Sequence, residues 1–470
     1  MNAALRWSAS VSLPIRGLTR NADSATLRTM STLARFFRLA ENRSSVKQEI
    51  TAGITTFAAM AYILAVNPVV LSAAGMDKGA VITATALASA LMTAAMALAT
   101  NYPIALAPGM GMNAFFAYTI CINMGIPWQP ALAMTFISGS LFLVLSLSGI
   151  RRRIMDALPL ELKLAISAGI GLFIAFIGLK NGGVIVSDPV TFVRIGNLAS
   201  FPCLMVLGGI ILAAVLVWRK VHGAIILTVL TLTVIGLFVP ANEAGQPLVS
   251  RPESWMAMPA SLAPTFLKFD FQYVFANFAK CLPLILAILF VDVFDNMGTL
   301  IGVTSRAGLL DSKGNLPRVG RVLAADASAA MVGACLGTST VTSYIESAAG
   351  VEEGGRTGLT ALVVAGCFLL ALFFHPLFLA IPAIATAPAL VIVGIFMMQS
   401  MAKLDLGDFA KAVPAVLTII LMPLSFSISE GLSIGFLAYV ALMIGIGRAR
   451  EVTWIGYVLA LLFLAHILYR

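Results

Sequence analysis

Charged residues are scarce in this 470-residue chain and make up 11% of it, against about 25% in soluble domains. Hydrophobic residues make up 60%, against roughly 45–50% in soluble domains. The chain therefore lacks the polar surface that an ordinary soluble domain needs. This composition indicates an integral membrane protein and argues against a soluble enzyme.

Histidine and cysteine are also few. The three histidines lie far apart, and the five cysteines stand singly in apolar segments or at their edges. No CxxC or Cys/His spacing is present, so the sequence predicts neither a metal site nor a disulfide framework. No cofactor is expected. Basic stretches with interleaved aromatic residues are missing too, which argues against a nucleic-acid partner.

Apolar runs of about 17–25 residues recur along the chain, the length needed to cross a hydrocarbon core of about 30 Å. They predict an all-α polytopic membrane protein with about fourteen transmembrane spans. A last segment, 453–469, is long enough either to cross or to pack against the bundle. The predicted spans are 48–67, 78–100, 104–122, 128–149, 161–180, 201–218, 222–240, 281–303, 321–337, 339–352, 358–381, 384–401, 412–427 and 430–447.

The distribution of charge predicts the orientation. Residues 1–50 hold eight basic residues against three acids, a net of five of the chain's nine positive charges. A cytoplasmic N-terminus places Arg151, Arg219 and Arg448 on that same side, as the positive-inside rule requires. Residues 1–45 are predicted to form a disordered basic tail. Its first 30 residues or so loosely resemble a mitochondrial presequence, and a start at Met30 is the alternative.

A long polar connection, residues 241–280, divides the chain into two parts. The segments 46–240 and 281–450 each hold about seven predicted spans, and 451–470 is a C-terminal hydrophobic segment. An odd number of spans in each part gives the second part the inverted orientation. The pattern therefore predicts two inverted seven-span repeats, as in many secondary transporters.

The third span of each predicted repeat is interrupted. Residues 101–113 contain two prolines and two glycines before a helical run at 114–122, and residues 337–346 are β-branched and hydroxyl-rich before a short Ala/Gly stretch. Gly111 belongs to the first break. Irregular backbone at membrane depth persists only where protein or a watery cavity satisfies its polar groups. We therefore expect short extended segments in spans 3 and 10, at a midplane binding site.

Two acids lie in an otherwise apolar stretch of the predicted eighth span. A carboxylate at bilayer depth costs at least about 2.5–3.5 kcal/mol, so such residues are usually functional. Asp292 and Asp295 are three residues apart and share a helix face at roughly 5–6 Å. Out of bulk water the two should not both ionise, and one would hold a proton. Helix capping, or a pair with a basic residue at the end of the span, is the structural alternative.

Polar residues at the two breaks are the other candidates. Glu346 follows the extended stretch near the start of a short helix, where a carboxylate could accept N–H groups from a planar heterocycle. Asn113 follows the other break, and its amide can donate and accept at once. The alternatives are a glutamate that only caps its helix and an asparagine satisfied by backbone.

Other residues near these motifs allow more than one interpretation. Phe115, Phe116 and Tyr344 offer rings on which an aromatic ligand could stack, although aromatic residues in a span usually serve packing. Asp326 is as well explained by exposure at the membrane interface or by a bond to Arg321 as by function.

Four blocks of sequence, in order, carry a family resemblance. They are TTFAAMAYILAVNP at 55–68, APGMGMNAFFA at 107–117, FDNMGTLIGV at 294–303, and TSYIES at 342–347 with GGRTGLT at 354–360. Together they resemble the AzgA-like hypoxanthine/adenine/guanine permeases of the nucleobase:cation symporter group, in the xanthine/uracil permease superfamily. The resemblance covers residues 45–450 or so and leaves the N-terminal tail outside.

The resemblance implies a fold and a site. A core domain of spans 1–4 and 8–11 would carry substrate between the extended segments and move against a gate domain of spans 5–7 and 12–14. Asp295 would be the main purine ligand, with Asp292 in the same motif, and the span 10 and span 3 positions fall on Glu346 and Asn113. Asn296 and Met297 stand where small or hydroxyl residues are expected, which leaves the choice of purine open.

The resemblance, together with the acidic motifs, implies proton-coupled uptake of purine nucleobases across the bacterial inner membrane by alternating access. The substrate-binding candidates are Asp295, Glu346, Asn113, Asp292, Tyr344, Gly111 and Phe115, and the proton would be carried by Asp292, Asp295 or Glu346. Purine, proton and lipid bilayer are the expected partners, and a homodimer is compatible with the sequence.

Two alternative functions remain open. The first is a carrier of xanthine, uracil or an anion on the same fold, although no Lys or Arg lies in 104–122 or 322–355 to hold an anion. The second is an intramembrane aspartyl protease that uses acids such as Asp292 and Asp326. Its usual Gly-x-Gly-Asp element is missing.

Overall fold

The computed structural model describes residues 32–148, 158–239, 248–249, 254–309 and 316–468, with the backbone alone at Asp295 and a few other helical positions. Residues 1–31 of the predicted tail lie outside this part, as do 241–247 and 250–253 of the predicted long loop. The described part of the tail corrects the prediction of disorder. It contains a short helix, and Phe37 and Leu39 lie buried in one cluster with Leu359.

The first part of the chain is mostly helical. Between the apolar helices lies a hairpin of two short strands, which the sequence pattern did not predict. It consists of β2, Ile185–Asp188, and the exposed strand β3, Phe192–Ile195. The elements in order are α1 Thr32–Phe36, α2 Val46–Met60, α3 Ile63–Ser72, α4 Lys78–Thr100, β1 Leu106–Pro108, α5 Met110–Ala114, a π-helix Phe115–Asn123, α6 Trp128–Ser148, α7 Leu160–Asn181, β2 Ile185–Asp188, β3 Phe192–Ile195, α8 Phe201–Trp218 and α9 Ala224–Gly236.

The second part of the chain is mostly helical as well. The predicted loop 241–280 ends in a short helix, and the predicted eighth span begins at Phe278 and ends at Arg306, three residues beyond the prediction at each end. The elements are α10 Phe271–Ala276, α11 Phe278–Arg306, α12 Val319–Leu336, β4 Val341–Ser343, α13 Ser347–Glu352, α14 Gly358–Ala371, a 3₁₀ turn Leu372–Phe374, α15 His375–Ala380, α16 Ala383–Met398, a 3₁₀ turn Gln399–Lys403, α17 Phe409–Leu424, α18 Ile428–Gly445, a 3₁₀ turn Ala449–Glu451 and α19 Trp454–Leu468.

Helix boundaries follow local chemistry. The Asp77 side chain caps α4 by accepting from the backbone N–H of Ala80 at 2.7 Å, because the first N–H groups of a helix lack partners within it. Asn101 ends the same helix in the left-handed conformation at φ 59°, which asparagine tolerates better than most residues. Within the described residues, nine helices are long and apolar enough to cross a membrane, so the chain is a multi-pass membrane protein.

The helices pack into two groups. One group contains α2, α3, α4, α6, α12 and α14, and the other contains α7, α8, α9, α16, α17 and α18. Within the second group α7 and α16 approach closely at a glycine pair, because a Cβ atom on Gly171 would lie 2.5 Å from the carbonyl oxygen of Gly394. The first group contains the predicted core spans 1, 2, 4, 9 and 11, and the second contains the predicted gate spans 5–7 and 12–14. The division into core and gate domains and the inverted fourteen-span repeat stay predictions.

The last helix packs against the bundle. In α19, the Phe463 ring lies 5.8 Å from Phe436 of α18 and 6.4 Å from Phe290 of α11, measured between ring centroids. The segment 453–469 therefore packs against the bundle, and whether it also crosses the membrane stays a prediction.

The two interrupted spans form a small sheet inside the bundle. Strands β1 and β4 pair antiparallel, with Leu106 opposite Ser343 and Pro108 opposite Val341, and all six strand residues are buried. The extended segments predicted in spans 3 and 10 are confirmed. The predicted helix start at Ala114 is wrong by four residues, because the chain turns helical directly after Gly109 and then widens into the π-helix.

Candidate functional site

The paired strands bring the breaks of the two halves together. The backbone N–H of Gly109 donates to the carbonyl oxygen of Thr340, and that of Tyr344 donates to Ala105, both at 2.9 Å. These bonds satisfy backbone groups that have no water partner at membrane depth. Helix α5 follows β1, and helix α13 follows β4. Side chains from several spans therefore meet around one small sheet.

Glu346 lies at the end of β4, just before α13, and is half-buried. Its Oε1 accepts a hydrogen bond of 2.8 Å from the hydroxyl of Tyr62. Tyr62 comes from the turn between α2 and α3 and is buried, with 1% of its surface exposed. The neighbouring Tyr344 is buried as well, and its hydroxyl donates to the carbonyl oxygen of Pro108 at 2.6 Å. The structure thus supplies a tyrosine partner for Glu346 that sequence reasoning missed.

Asn113 lies in α5 at the centre of a buried polar network. Its Nδ2 donates to Oδ1 of Asn67 at 2.5 Å, and its Oδ1 accepts from the hydroxyl of Ser339. Asn67 in turn donates to Thr85 at 2.7 Å and to Thr338 at 2.9 Å. Both ends of the Asn113 amide therefore bind other side chains in this structure, and its role as a purine ligand stays a prediction.

Sequence reasoning missed Asn67 as a candidate, although its position in the sequence is unusual. It stands in the apolar run of the first span, immediately before Pro68, and is completely buried. A buried amide needs partners, since leaving it without them costs about 1–3 kcal/mol. An asparagine in such a run is thus a sign of a polar neighbour from another span. The sequence does not identify that neighbour.

The acidic motif lies in α11, which contacts β4 and α13. Asp292 is buried, with 1% exposed, and Asn296 one turn later is completely buried. The Asp295 side chain is outside the described part of the structure. The predicted proximity of Asp292 and Asp295, and their roles in purine binding and proton coupling, therefore stay predictions.

Asp326 of α12 anchors β4. The carboxylate accepts from the backbone N–H of Ser343 at 2.9 Å, from its hydroxyl at 2.7 Å, and from the side chain of Asn296. The interpretation of Asp326 as an exposed interface residue is wrong, because none of its surface is exposed. Its burial is explained by these donors, since a buried charge is retained where hydrogen bonds satisfy it. Asp326 thus joins α11, α12 and the extended segment.

The aromatic and glycine candidates on the third span pack tightly. Phe115 is completely buried and Phe116 is 2% exposed, so both lie in the apolar core. Gly111 faces the second helix group, where a Cβ atom would lie 2.7 Å from Cγ2 of Ile170 in α7. Helix α5, which carries Gly111, therefore contacts α3 of the first group as well as α7 of the second. Purine contacts by Gly111, Phe115 and Tyr344 stay predictions.

Further along the third span, polar and aromatic side chains bridge the two helix groups. Asn181 at the end of α7 donates to the hydroxyl of Tyr118 at 3.1 Å, and Thr119 donates to the carbonyl oxygen of Phe426 at 3.2 Å. The ammonium group of Lys180 lies 4.6 Å from the centroid of the Phe426 ring, a cation–π geometry. The two hydrogen bonds connect the third span to the end of α7 and to the turn before α18.

A buried glutamate joins the first span to α14. Glu49 has no exposed surface, and its carboxylate accepts from the backbone N–H groups of Arg356, Thr357 and Thr360 at 3.0–3.2 Å. These are the N–H groups at the start of a helix, which a carboxylate satisfies well. Sequence reasoning missed this contact, because Glu49 stands among polar residues at the start of a predicted span.

Comparison with known proteins gives the family and two well-matched relatives. The profile of the Permease family (xanthine/uracil permease) matches residues 47–434. The guanine/hypoxanthine permease PbuG of Bacillus subtilis is 45% identical over 443 residues, which cover 92% of this chain and 99% of PbuG. The adenine permease AdeP of Escherichia coli is 41% identical over 437 residues, which cover 93% of this chain and 96% of AdeP.

Among solved structures, the transmembrane domain of the cyanobacterial bicarbonate transporter BicA is similar to this chain. The TM-score is 0.61 at 16% sequence identity, and the match covers 83% of this chain and 96% of that domain. At this identity the likeness shows a shared fold and nothing about the substrate.

Proposed function

The chain belongs to the permease family of xanthine/uracil permeases, and from this membership we propose that it carries purine nucleobases across the cytoplasmic membrane. One observation carries the substrate class. Relatives at 41% and 45% identity, aligned along more than nine-tenths of both chains, are named as adenine and guanine/hypoxanthine permeases. A shared fold alone would not support a substrate, because one fold hosts many functions.

The site offers groups of the right kind for a purine. Glu346 is half-buried beside the paired strands, and a carboxylate has about four acceptor positions. Ring N–H groups of adenine, hypoxanthine or guanine would be accepted by Glu346 and by Asp295. Asn113 and backbone groups of the extended segments would fix the orientation of the base.

Uptake is coupled to protons in this proposal. Asp292, Asp295 and Glu346 are the candidate proton carriers, because acids in a low dielectric readily hold a proton when a second acid lies close. Two acids neutralised on loading, one by protonation and one by hydrogen bonding to the base, would cross the barrier at lower cost than two charges. No cofactor takes part.

Alternating access would come from movement of one helix group against the other. The fourteen spans would form two inverted repeats with the N-terminus in the cytoplasm. The predicted core spans 1–4 and 8–11, which correspond to α2–α6 and α11–α15 with β1 and β4, would carry the substrate. The hydrogen bonds of Asn181 with Tyr118 and of Thr119 with Phe426 would then close the extracytoplasmic side. Their separation would open it.

Uptake of labelled bases into a transport-deficient bacterial host tests the proposal. We expect uptake of adenine, hypoxanthine or guanine, and its loss on addition of a protonophore. Xanthine and uracil serve as competing substrates, and labelled bicarbonate tests the anion alternative. The absence of uptake of every purine, with the protein verified in the membrane, would overturn the proposed function.

Variants connect uptake with the site. Glu346→Gln should weaken purine uptake at least tenfold, since a hydrogen bond to a charged group contributes about 1.5–3 kcal/mol. Glu352→Gln is the matched control, because it removes an exposed carboxylate six residues further along. Equal uptake by the two variants would argue against Glu346 as a ligand.

A further inference from the structure

The first span is interrupted beside the paired strands. Helix α2 ends at Met60 and α3 begins at Ile63, and the turn between them is tightened by bonds from Leu64 N–H to Ala61 and from Ala65 N–H to Tyr62, at 3.0–3.1 Å. Pro68 lies one turn later and cannot donate to the carbonyl of Leu64. Such short 3₁₀ turns within helices often mark functional positions.

Tyr62 occupies this turn, and its ring is among the largest completely buried side chains of the described structure. Its hydroxyl reaches a residue 284 positions away in sequence, because it donates to Oε1 of Glu346 at 2.8 Å. The hydrogen bond therefore ties the first half of the chain to the acid at the end of β4. A tyrosine ring has few rotatable bonds, so the burial of Tyr62 fixes the position of its hydroxyl.

A second tyrosine holds the neighbouring backbone. The Tyr344 hydroxyl donates to the carbonyl oxygen of Pro108 at 2.6 Å, which ties the residue directly after β4, two positions before Glu346, to β1. The strand pairing fixes the backbone of this segment, whereas the Glu346 side chain beyond it has three rotatable bonds of its own. The hydrogen bond from the Tyr62 hydroxyl, which also interacts with the Tyr344 side chain, contributes to restricting the Glu346 side chain.

We infer that Tyr62 is a positioning residue, which holds the Glu346 carboxylate in the orientation that accepts the purine. This inference rests on the proposed function and extends it, because it adds the interrupted first span to the two predicted interrupted spans. Tyr62 acts through Glu346 and need not touch the base. Loss of the hydroxyl should therefore matter only while the carboxylate is present.

Purine binding by the purified full-length protein tests the inference. Titrations with adenine, hypoxanthine and guanine up to millimolar concentration would compare Tyr62→Phe, Glu346→Gln, the double variant and the unmodified chain. Tyr102→Phe is the matched control, because Tyr102 is also buried and donates one hydroxyl hydrogen bond of 2.6 Å, to Pro317, away from Glu346.

We expect Tyr62→Phe to weaken binding about tenfold, the loss that follows from one hydrogen bond to a charged group. In the Glu346→Gln background the same substitution should change affinity less than about twofold, since coupled residues are not additive. Tyr102→Phe should bind purine as the unmodified chain does. An equal loss in both backgrounds, or no loss at all, would overturn the inference.

A spectroscopic measurement covers the case in which Glu346→Gln binds too weakly to measure. The carboxylate stretching band that disappears in the infrared spectrum of Glu346→Gln belongs to Glu346, and Tyr62→Phe should shift that band whereas Tyr102→Phe should not. An unshifted band would overturn the positioning role. Failure of the unmodified chain to bind any purine would instead overturn the proposed function, and the inference with it.

Discussion

Substitution of Gly111 by alanine tests how the two helix groups meet. Gly111 lies in α5 and faces α7 and α16 of the other group, where its Cβ would lie 2.7 Å from Cγ2 of Ile170 and 3.7 Å from the terminal carbon of Met397. The second distance is an ordinary contact. The first is shorter than the optimal carbon–carbon separation of about 3.5–4.0 Å. The substitution therefore requires a shift of about 1 Å.

The surroundings determine its cost. Ile170 is 1% exposed and belongs to the main apolar cluster, and its Cγ2 is attached directly to a branched, stiff Cβ. The side chain cannot swing away, so α5 and α7 must separate. Overpacking of this kind costs about 1–3 kcal/mol. If Gly111 and Ile170 are in contact in only one state of the transport cycle, the population of that state should fall about 5–150-fold.

Uptake rates and thermal unfolding of the purified protein measure the effect. Gly111→Ala should lower the maximal uptake rate while the protein remains folded in the membrane. Gly366→Ala is the matched control, because Gly366 is also helical and its Cβ would meet no atom within 4 Å. Ile170→Ala removes the opposing methyl group, and its combination with Gly111→Ala should restore part of the lost uptake.

Two results would refute this reasoning. If Gly111→Ala behaves as Gly366→Ala does in rate and in unfolding temperature, the contact places no constraint on transport. If Ile170→Ala fails to restore uptake in the double variant, the loss comes from another effect of Gly111.

Two more predictions concern carboxylates that hold loops and extended segments. Asp326→Asn should retain more uptake than Asp326→Ala, because an amide oxygen still accepts from the Ser343 N–H, whereas alanine leaves that buried donor unsatisfied at about 1–3 kcal/mol; equal uptake and equal unfolding temperatures would contradict this. Outside the membrane-spanning helices, the hydrogen bond from Arg448 lowers the pKa of Asp408 below its ordinary value of 3.8. The pair therefore stabilises the folded state at about pH 7, and this contribution is lost as the pH falls through the lowered pKa. Arg448→Gln should lower the unfolding temperature at neutral pH and converge with the unmodified chain in acid, and a difference independent of pH would contradict the assignment.

Local sequence features predicted the elements that local chemistry determines. The prolines and glycines of residues 101–113 and the β-branched run before Glu346 predicted β1 and β4, since these residues disfavour or interrupt a helix. The apolar runs predicted the helices, with boundaries that differ by a few residues where caps such as Ser45 or Asp408 begin them. The pairing of β1 with β4 in space could not be predicted from the sequence pattern.

The side-chain network could not be predicted in the same way. Tyr62 and Glu346 are 284 residues apart, and the Ser339 hydroxyl that binds Asn113 is 226 residues away from it. Each residue by itself is a polar group in an apolar run, which signals a partner without naming one. The exposed hairpin β2–β3 and the π-helix were also missed, because neither has a strong periodic pattern in sequence.

The hydrogen bonds around the paired strands and the apolar contact between the two helix groups respond differently to movement. Asn113 and Asp326 connect the extended segments to neighbouring helices through hydrogen bonds with no exposed partner, and breaking such bonds in a low dielectric leaves costly unpaired groups. The contact between groups at Gly111 and Ile170 is apolar, and it can separate without that cost. We therefore expect the paired strands to move as one body with the helices that anchor them. Movement between the groups would then change which side of the membrane reaches Glu346 while leaving its partner Tyr62 in place.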